Sequence, residues 1–206
     1  MTPRHEPPRA PTLRVARPPI RELLNLPNLL TLLRLFLIPV FLGFVGRHEY
    51  TEALYVFVAA ALTDSLDGTV ARWFHAKTEL GAFLDPLADK LMLLSAFVAL
   101  TFEHEMEIWV LGVVIIRDVV IVVGYFMISF VTGERIPVRP SYLGKASTFF
   151  QLACIVGALV QLESTYQQQW YALLYTMVAF TAVSGMHYVY RGLVWLFYRE
   201  PQLFEQ

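Results

Sequence analysis

A chain of 206 residues that is 56% apolar and only 16% charged, with a positive mean hydropathy, has too little polar residue to cover a soluble domain. The expected class is an all-α polytopic membrane protein. A net charge of −1 lacks the basic footprint of a nucleic-acid binder, and the single Cys154, set in an apolar run, rules out an intrachain disulfide and reads as packing.

Residues 1–22 are rich in Pro and Arg and carry no apolar core, so a disordered basic tail is expected there, followed by a helical domain over 23–200 and a short tail over 201–206. The tail arginines are either solvated or close to anionic lipid head groups. The first span runs from Asn25 to Phe44 and on to Val45, long enough to cross a bilayer. Pro27 suits a helix start, and Asn28 or Thr31 can hydrogen-bond near it. Arg34 is the odd residue, since a lone Arg in the first turns either snorkels to the interface or serves a function.

Further spans are expected over Glu52–Trp73, Gly81–Thr101, Ile108–Val131, Tyr142–Leu162 and Trp170–Tyr198, giving six transmembrane helices. Pro86 interrupts the third near its start, and the carbonyl its missing amide leaves unpaired is tolerated in a bilayer only at a wet or metal-bound site. In the last span His187 and Tyr188 read as packing, and Trp195, Phe197 and Tyr198 as an interfacial belt. Arg72, Lys77, Arg135, Arg139, Lys145 and Arg199 join the tail arginines on one side, whereas the opposite loops hold only Arg47. The positive-inside rule then places both termini in the cytoplasm, in a cell (inner) membrane, with the loop between the second and third helices facing the same way.

Asp64, Asp67, Asp85 and Asp89 lie inside or against apolar runs, where a charge costs roughly 2.5–3.5 kcal/mol at the bilayer centre. Such residues are not there for stability. Asp64 and Asp67 fall three apart and Asp85 and Asp89 four apart, so each pair lines one face of its own helix, and the short link predicts antiparallel neighbours with facing carboxylates. Hard oxygen ligands in that arrangement suit two Mg²⁺ or Mn²⁺ ions better than zinc. Gly68 and Ala71 allow a helix or a phosphate to approach the backbone, and Arg72 suits a phosphate oxygen.

An Asp-x-x-Asp pair alone is weak, because such pairs often decorate helix ends or solvated faces. The whole string is specific. Asp64-x-x-Asp67-Gly68-x-x-Ala71-Arg72, eight residues, then Gly81-x-x-x-Asp85-x-x-x-Asp89 resembles at every fixed position the signature of the CDP-alcohol phosphatidyltransferases. Pro27, Asn28, Thr31 and Arg34 resemble the opening of that family's first helix. The resemblance implies that Asp64, Asp67, Asp85 and Asp89 hold the two metal ions, with Asp64 and Asp85 bridging, and that Asp89 is also the general base. It further implies that Asn28, Thr31, Asp64, Gly68, Arg72 and Thr78 bind the CDP-lipid.

The implied reaction moves a phosphatidyl group from CDP-diacylglycerol to an alcohol with release of CMP. Arg117, Arg135, Arg139 and Lys145 are candidates to bind an anionic acceptor, although Arg117 can equally be a structural partner of Asp118, and basic residues on the cytoplasmic side follow from topology alone. Within the family, the first-helix opening and the block Gly81–Leu91 resemble the bacterial phosphatidylglycerophosphate synthases and the eukaryotic-type cardiolipin synthases. Gly144-Lys145, Thr148 and Gln151 resemble a Gly-Lys-x-Lys-Thr-x-x-Gln block of the synthases, with a departure at Ala146-Ser147, and Arg117-Asp118 is closer to the cardiolipin synthases. Glycerol 3-phosphate is the expected acceptor and phosphatidylglycerol the alternative. A homodimer is expected, with the third and fourth helices packed across a two-fold. From other classes, a divalent-cation channel or transporter also lines its path with acidic residues, and a membrane prenyltransferase also uses Asp clusters with Mg²⁺.

Overall fold

Apolar residues recur at helical spacing almost throughout, and the chain forms helices accordingly. In the computed structural model the backbone is described over 26–74, 79–132 and 141–203, and side chains over 29–63, 87–131 and 141–196. Six long helices result among the described residues: α1 (Leu26–Val45), α2 (Tyr50–Phe74), α3 (Glu79–Phe102), α4 (Ile108–Thr132), α5 (Tyr142–Leu159) and α7 (Gln167–Leu203). The short α6 (Leu162–Thr165) lies between the last two. Three stretches, Ile108–Val131, Tyr142–Leu159 and Gln167–Leu196, are long and apolar enough to cross a membrane. The helices of the expected spans are all present, with boundaries within two residues of those expected except in the last two long helices. The fifth stops at Leu159 rather than Leu162, because Gln161 adopts a left-handed φ of 52° and breaks the ladder. The last extends past both expected ends, through Gln167 and Leu203.

Helix α1 packs against both α2 and α3, while α4 and α5 pack against α7, and contacts of α3 with α4 and α5 join the two groups. Three connections meet at one end of the bundle. His48 Nδ1 lies 3.5 Å from the Glu103 carboxylate, and one cleft is lined by His48, Tyr50 and Thr51 together with Leu159, Val160 and Gln161. Each of these turns contains one non-glycine residue with positive φ: His48 at 59°, His104 at 62° and Gln161 at 52°. Their amides bond back to Val45, Thr101 and Ala158, which satisfies carbonyls that the ending helices would leave open.

The interior is divided along the bundle axis. Toward the turn end the buried side chains are apolar, including Phe41, Val45, Phe57, Phe97, Leu100, Val110, Ile155, Leu159 and Trp170. The packing is close there, since a Cβ on Gly157 would meet the Trp170 ring at 3.0 Å. In the opposite half lie the buried polar residues Thr31, Arg34, Ser141, Ser147, Gln151, Thr181 and Ser184. Burying hydroxyls and amides is tolerable only when they bond one another. They do: Ser147 and Thr181 hydroxyls are 3.0 Å apart, and Gln151 Nε2 donates to Thr181 Oγ1 at 3.3 Å.

That triad links α5 to α7. Thr181→Val keeps the volume and strips the hydroxyl that Ser147 and Gln151 share, so it is expected to lower stability by about 1 kcal/mol. Thermal unfolding of the detergent-solubilised protein checks this, and an unchanged midpoint would mean that the triad contributes nothing.

Candidate active site

Buried residues of α1 at 31, 34, 41 and 45 share a stripe that faces the bundle, which carries Thr31 and Arg34 inward with Phe41 and Val45. Arg34 is 2% exposed, so snorkelling to an interface is not its role. Its Nη1 donates to Asp89 Oδ1 across the α1–α3 contact, forming an ion pair. On α3 the buried residues Ala88, Met92 and Ala96 form the packing stripe, and Asp89 flanks it with its side chain 41% exposed. A carboxylate that is both anchored and accessible is what a ligand-binding or proton-accepting group requires.

Adjacent residues on a helix point about 100° apart, so Lys90 reaches a different neighbour from Asp89. Its ammonium is 3.5 Å from Asp118 Oδ2 on α4. Asp118 Oδ1 accepts a 2.6 Å hydrogen bond from Arg117 Nη1, and Arg117 Nη2 donates to Ser184 Oγ on α7 at 3.2 Å. The same guanidinium lies 5.9 Å from the centroid of the Tyr188 ring. The Tyr188 hydroxyl in turn accepts from the Ser141 amide at 3.3 Å, and Ser141 Oγ caps α5 by accepting from the Gly144 amide at 3.0 Å. Glycine fits closely at 144, where a Cβ would stand 3.1 Å from the Tyr188 hydroxyl. One residue on, exposed Lys145 holds its ammonium 5.9 Å from the Tyr142 ring centroid.

Of the expected site residues, Thr31, Asp89, Arg117 and Lys145 fall among the described side chains. The structure joins Asp89 to α1, and Arg117 through Tyr188 to the start of α5 beside Lys145. Thr31 is fully buried, one turn before Arg34 on the same face of α1. Asp64, Asp67, Gly68 and Arg72 are placed on α2, Asp85 on α3 and Asn28 on α1, in the helical registers expected, but their side chains lie outside the described residues, as do Thr78, Arg135 and Arg139 entirely. Whether the carboxylate faces of α2 and α3 meet also lies outside them. Among the described residues no three His, Cys, Asp or Glu side chains cluster as a metal site. Asp89 itself fits such a role chemically. A carboxylate offers two oxygens and about four lone pairs, so pairing at Oδ1 leaves capacity for a second partner. Arg34, Lys90, Ser184 and Tyr188 were not among the expected site residues. The signal for Lys90 was its charge beside Asp89 in an apolar run, whereas nothing in the sequence distinguished Tyr188 from packing.

Residues 24–183 match the family model described as CDP-alcohol phosphatidyltransferase. The chain belongs to the CDP-alcohol phosphatidyltransferase family. A "Probable phosphatidylglycerophosphate synthase" of Mycobacterium tuberculosis is 33% identical over 175 residues, covering 82% of each chain. A "CDP-diacylglycerol--glycerol-3-phosphate 3-phosphatidyltransferase" of Yersinia pestis is 35% identical over 174 residues, 81% of this chain and 93% of the relative. The human "Cardiolipin synthase (CMP-forming)" is 30% identical over 185 residues, 82% of this chain and 62% of the relative. Membership makes the chain a transferase of substituted phosphate groups with membrane helices, and favours neither a channel nor a prenyltransferase.

For this family member Asp118 is the carboxylate shared by two cations, Lys90 and Arg117. Asp118→Asn is expected to lower stability by about 1–3 kcal/mol, because the nearly buried Arg117 loses a charged hydrogen-bond partner. Lys90→Gln, whose side chain is 51% exposed, should cost under about 1 kcal/mol. Equal shifts in the unfolding midpoint of the two variants would contradict this assignment.

Proposed function

We propose that the chain transfers the phosphatidyl group of CDP-diacylglycerol to a hydroxyl of glycerol 3-phosphate and releases CMP. Family membership and the names of the Mycobacterium tuberculosis and Yersinia pestis relatives support the donor and the reaction. The observation that carries the acceptor class is the cationic string beside Asp89, in which Lys90 and Arg117 both meet one carboxylate, Asp118, and Arg117 leads through Tyr188 to the start of α5, where Lys145 is exposed. Two cations on one carboxylate, with Lys145 exposed nearby in the chain of contacts from Tyr188, leave an excess of positive charge there, which suits an anionic acceptor better than a neutral alcohol.

In this reading the acceptor oxygen attacks the phosphorus that carries the diacylglycerol, and the bond from that phosphorus to the bridging oxygen of the pyrophosphate breaks. CMP leaves with the bridging oxygen and its electron pair. Asp89 takes the acceptor proton through its carboxylate, which α3 holds accessible. Asp64, Asp67, Asp85 and Asp89 would hold two Mg²⁺ or Mn²⁺ ions, whose chemistry would be to neutralise charge on the attacking and leaving oxygens. Asn28, Thr31, Gly68, Arg72 and Thr78 bind the CDP moiety, Gly68 by letting phosphate approach the backbone and Arg72 by charge. Arg117, Arg135, Arg139 and Lys145 bind the acceptor phosphate. The lipid tails of the donor lie between helices open to the bilayer, which accounts for a membrane-embedded site.

The topology that goes with this reading has six spans, both termini and the site facing the cytoplasm, in the inner membrane, and a homodimer. A second acceptor, phosphatidylglycerol, is favoured by Arg117-Asp118 and by the human relative, and its phosphodiester would meet the same cations.

Purified protein incubated with labelled CDP-diacylglycerol and each acceptor separately is expected to release CMP with glycerol 3-phosphate, and only when Mg²⁺ or Mn²⁺ is present. Release with phosphatidylglycerol alone would replace the first acceptor by the second, and no release with either would end the proposal. Asp89→Asn should keep donor binding while lowering turnover by about 10²–10⁴-fold, the range for loss of a general base. Asp64→Asn should weaken metal and donor binding together, so full activity at low Mg²⁺ would exclude it as a ligand.

A further inference from the structure

Arg34 stands apart from the residues that the proposed chemistry uses. It is a charged group, 2% exposed, and its Nη1 reaches Asp89 Oδ1 from a different helix, 55 residues away in the chain. Here only the arginine is buried, whereas Asp89 keeps 41% of its side chain accessible.

We infer that Arg34 is a positioning residue for Asp89: it clamps Oδ1 and thereby fixes the rotation of the carboxylate and the direction in which Oδ2 points. This rests on the phosphatidyl-transfer reading above. A carboxylate on a short stem turns about two bonds, and a proton acceptor held by one oxygen loses that freedom before the acceptor arrives. The guanidinium is suited to the task because its planar fork fixes geometry as well as charge, and because it does not lose its proton. The pair also couples α1, which carries Thr31, to α3, so that a face of the proposed donor site and the proposed base move as one unit. The clamp has a cost. A cation held against Asp89 opposes any further cation at the same carboxylate, so removing it should leave metal binding intact or tighter while harming turnover. Loss of a merely structural contact would harm both.

The test uses the full chain in detergent, with Arg34→Gln and Arg34→Lys beside wild type. Direct Mn²⁺ binding is followed by electron paramagnetic resonance without substrate, and kcat and KM by CMP release. Arg34→Gln is expected to lower kcat by roughly 10–100-fold, as for other residues that orient a ligand, with KM for CDP-diacylglycerol within about 3-fold and Mn²⁺ bound at least as tightly as in wild type. Arg34→Lys should recover part of the loss. A kcat for Arg34→Gln within about 3-fold of wild type, or loss of Mn²⁺ binding together with turnover, would overturn the inference. If Arg34→Gln does not fold, Arg34→Lys decides: lowered kcat with Mn²⁺ binding kept supports the clamp, and wild-type kcat overturns it. Absence of CMP release from wild type itself would end the phosphatidyl-transfer reading and the clamp with it, whereas failure in the variants alone ends only the clamp.

Discussion

A charged side chain inside an apolar helix bundle persists only where an opposite charge meets it, and the Arg34–Asp89 pair is where this constraint bears hardest. Desolvating the buried Arg34 guanidinium costs several kcal/mol, which only an opposite charge beside it offsets. The pair therefore dictates which faces of α1 and α3 turn toward each other. It also places the boundary between the two halves of the interior, apolar toward the turns and polar away from them.

From that contact the charges alternate across the bundle. Arg34 on α1 meets Asp89 on α3, Lys90 on α3 meets Asp118 on α4, and Arg117 on α4 turns to Ser184 and Tyr188 on α7. Each pair bridges two helices or two residues of one, yet the string is not closed. Asp89 stays accessible at one end, and Lys145 at the other lies exposed beside the cap of α5. An open string of alternating charge in a bilayer is a poor device for stability alone. It suits the phosphatidyl-transfer site proposed above, which would receive a pyrophosphate and an anionic alcohol.

The helices were legible because apolar residues at a 3.6 period dominate this chain, and the aspartates were legible because charge in such runs is expensive. What faces what was not. Period alone assigns Asp89 to a stripe of its own helix but cannot say that α1 supplies the arginine opposite it, so Arg34 stayed open between snorkelling and function. Tyr188 read as packing because an aromatic at helical spacing usually is, and its hydroxyl acquires a role only when α5 begins beside it. The left-handed positions of the three turns are taken by His48, His104 and Gln161 rather than glycine, so that backbone left no trace in the sequence, and with Gln161 went the true end of α5.

The central claim is that Arg34 and Asp89 act on each other as ions inside the bundle. A double-mutant cycle on unfolding free energy, with Arg34→Met, Asp89→Asn and the pair, measures that coupling without substrate or metal. The account predicts a coupling of about 1.5–3 kcal/mol, the double variant being less destabilised than the sum of the single ones. Single effects that add to within about 0.3–0.5 kcal/mol would contradict it.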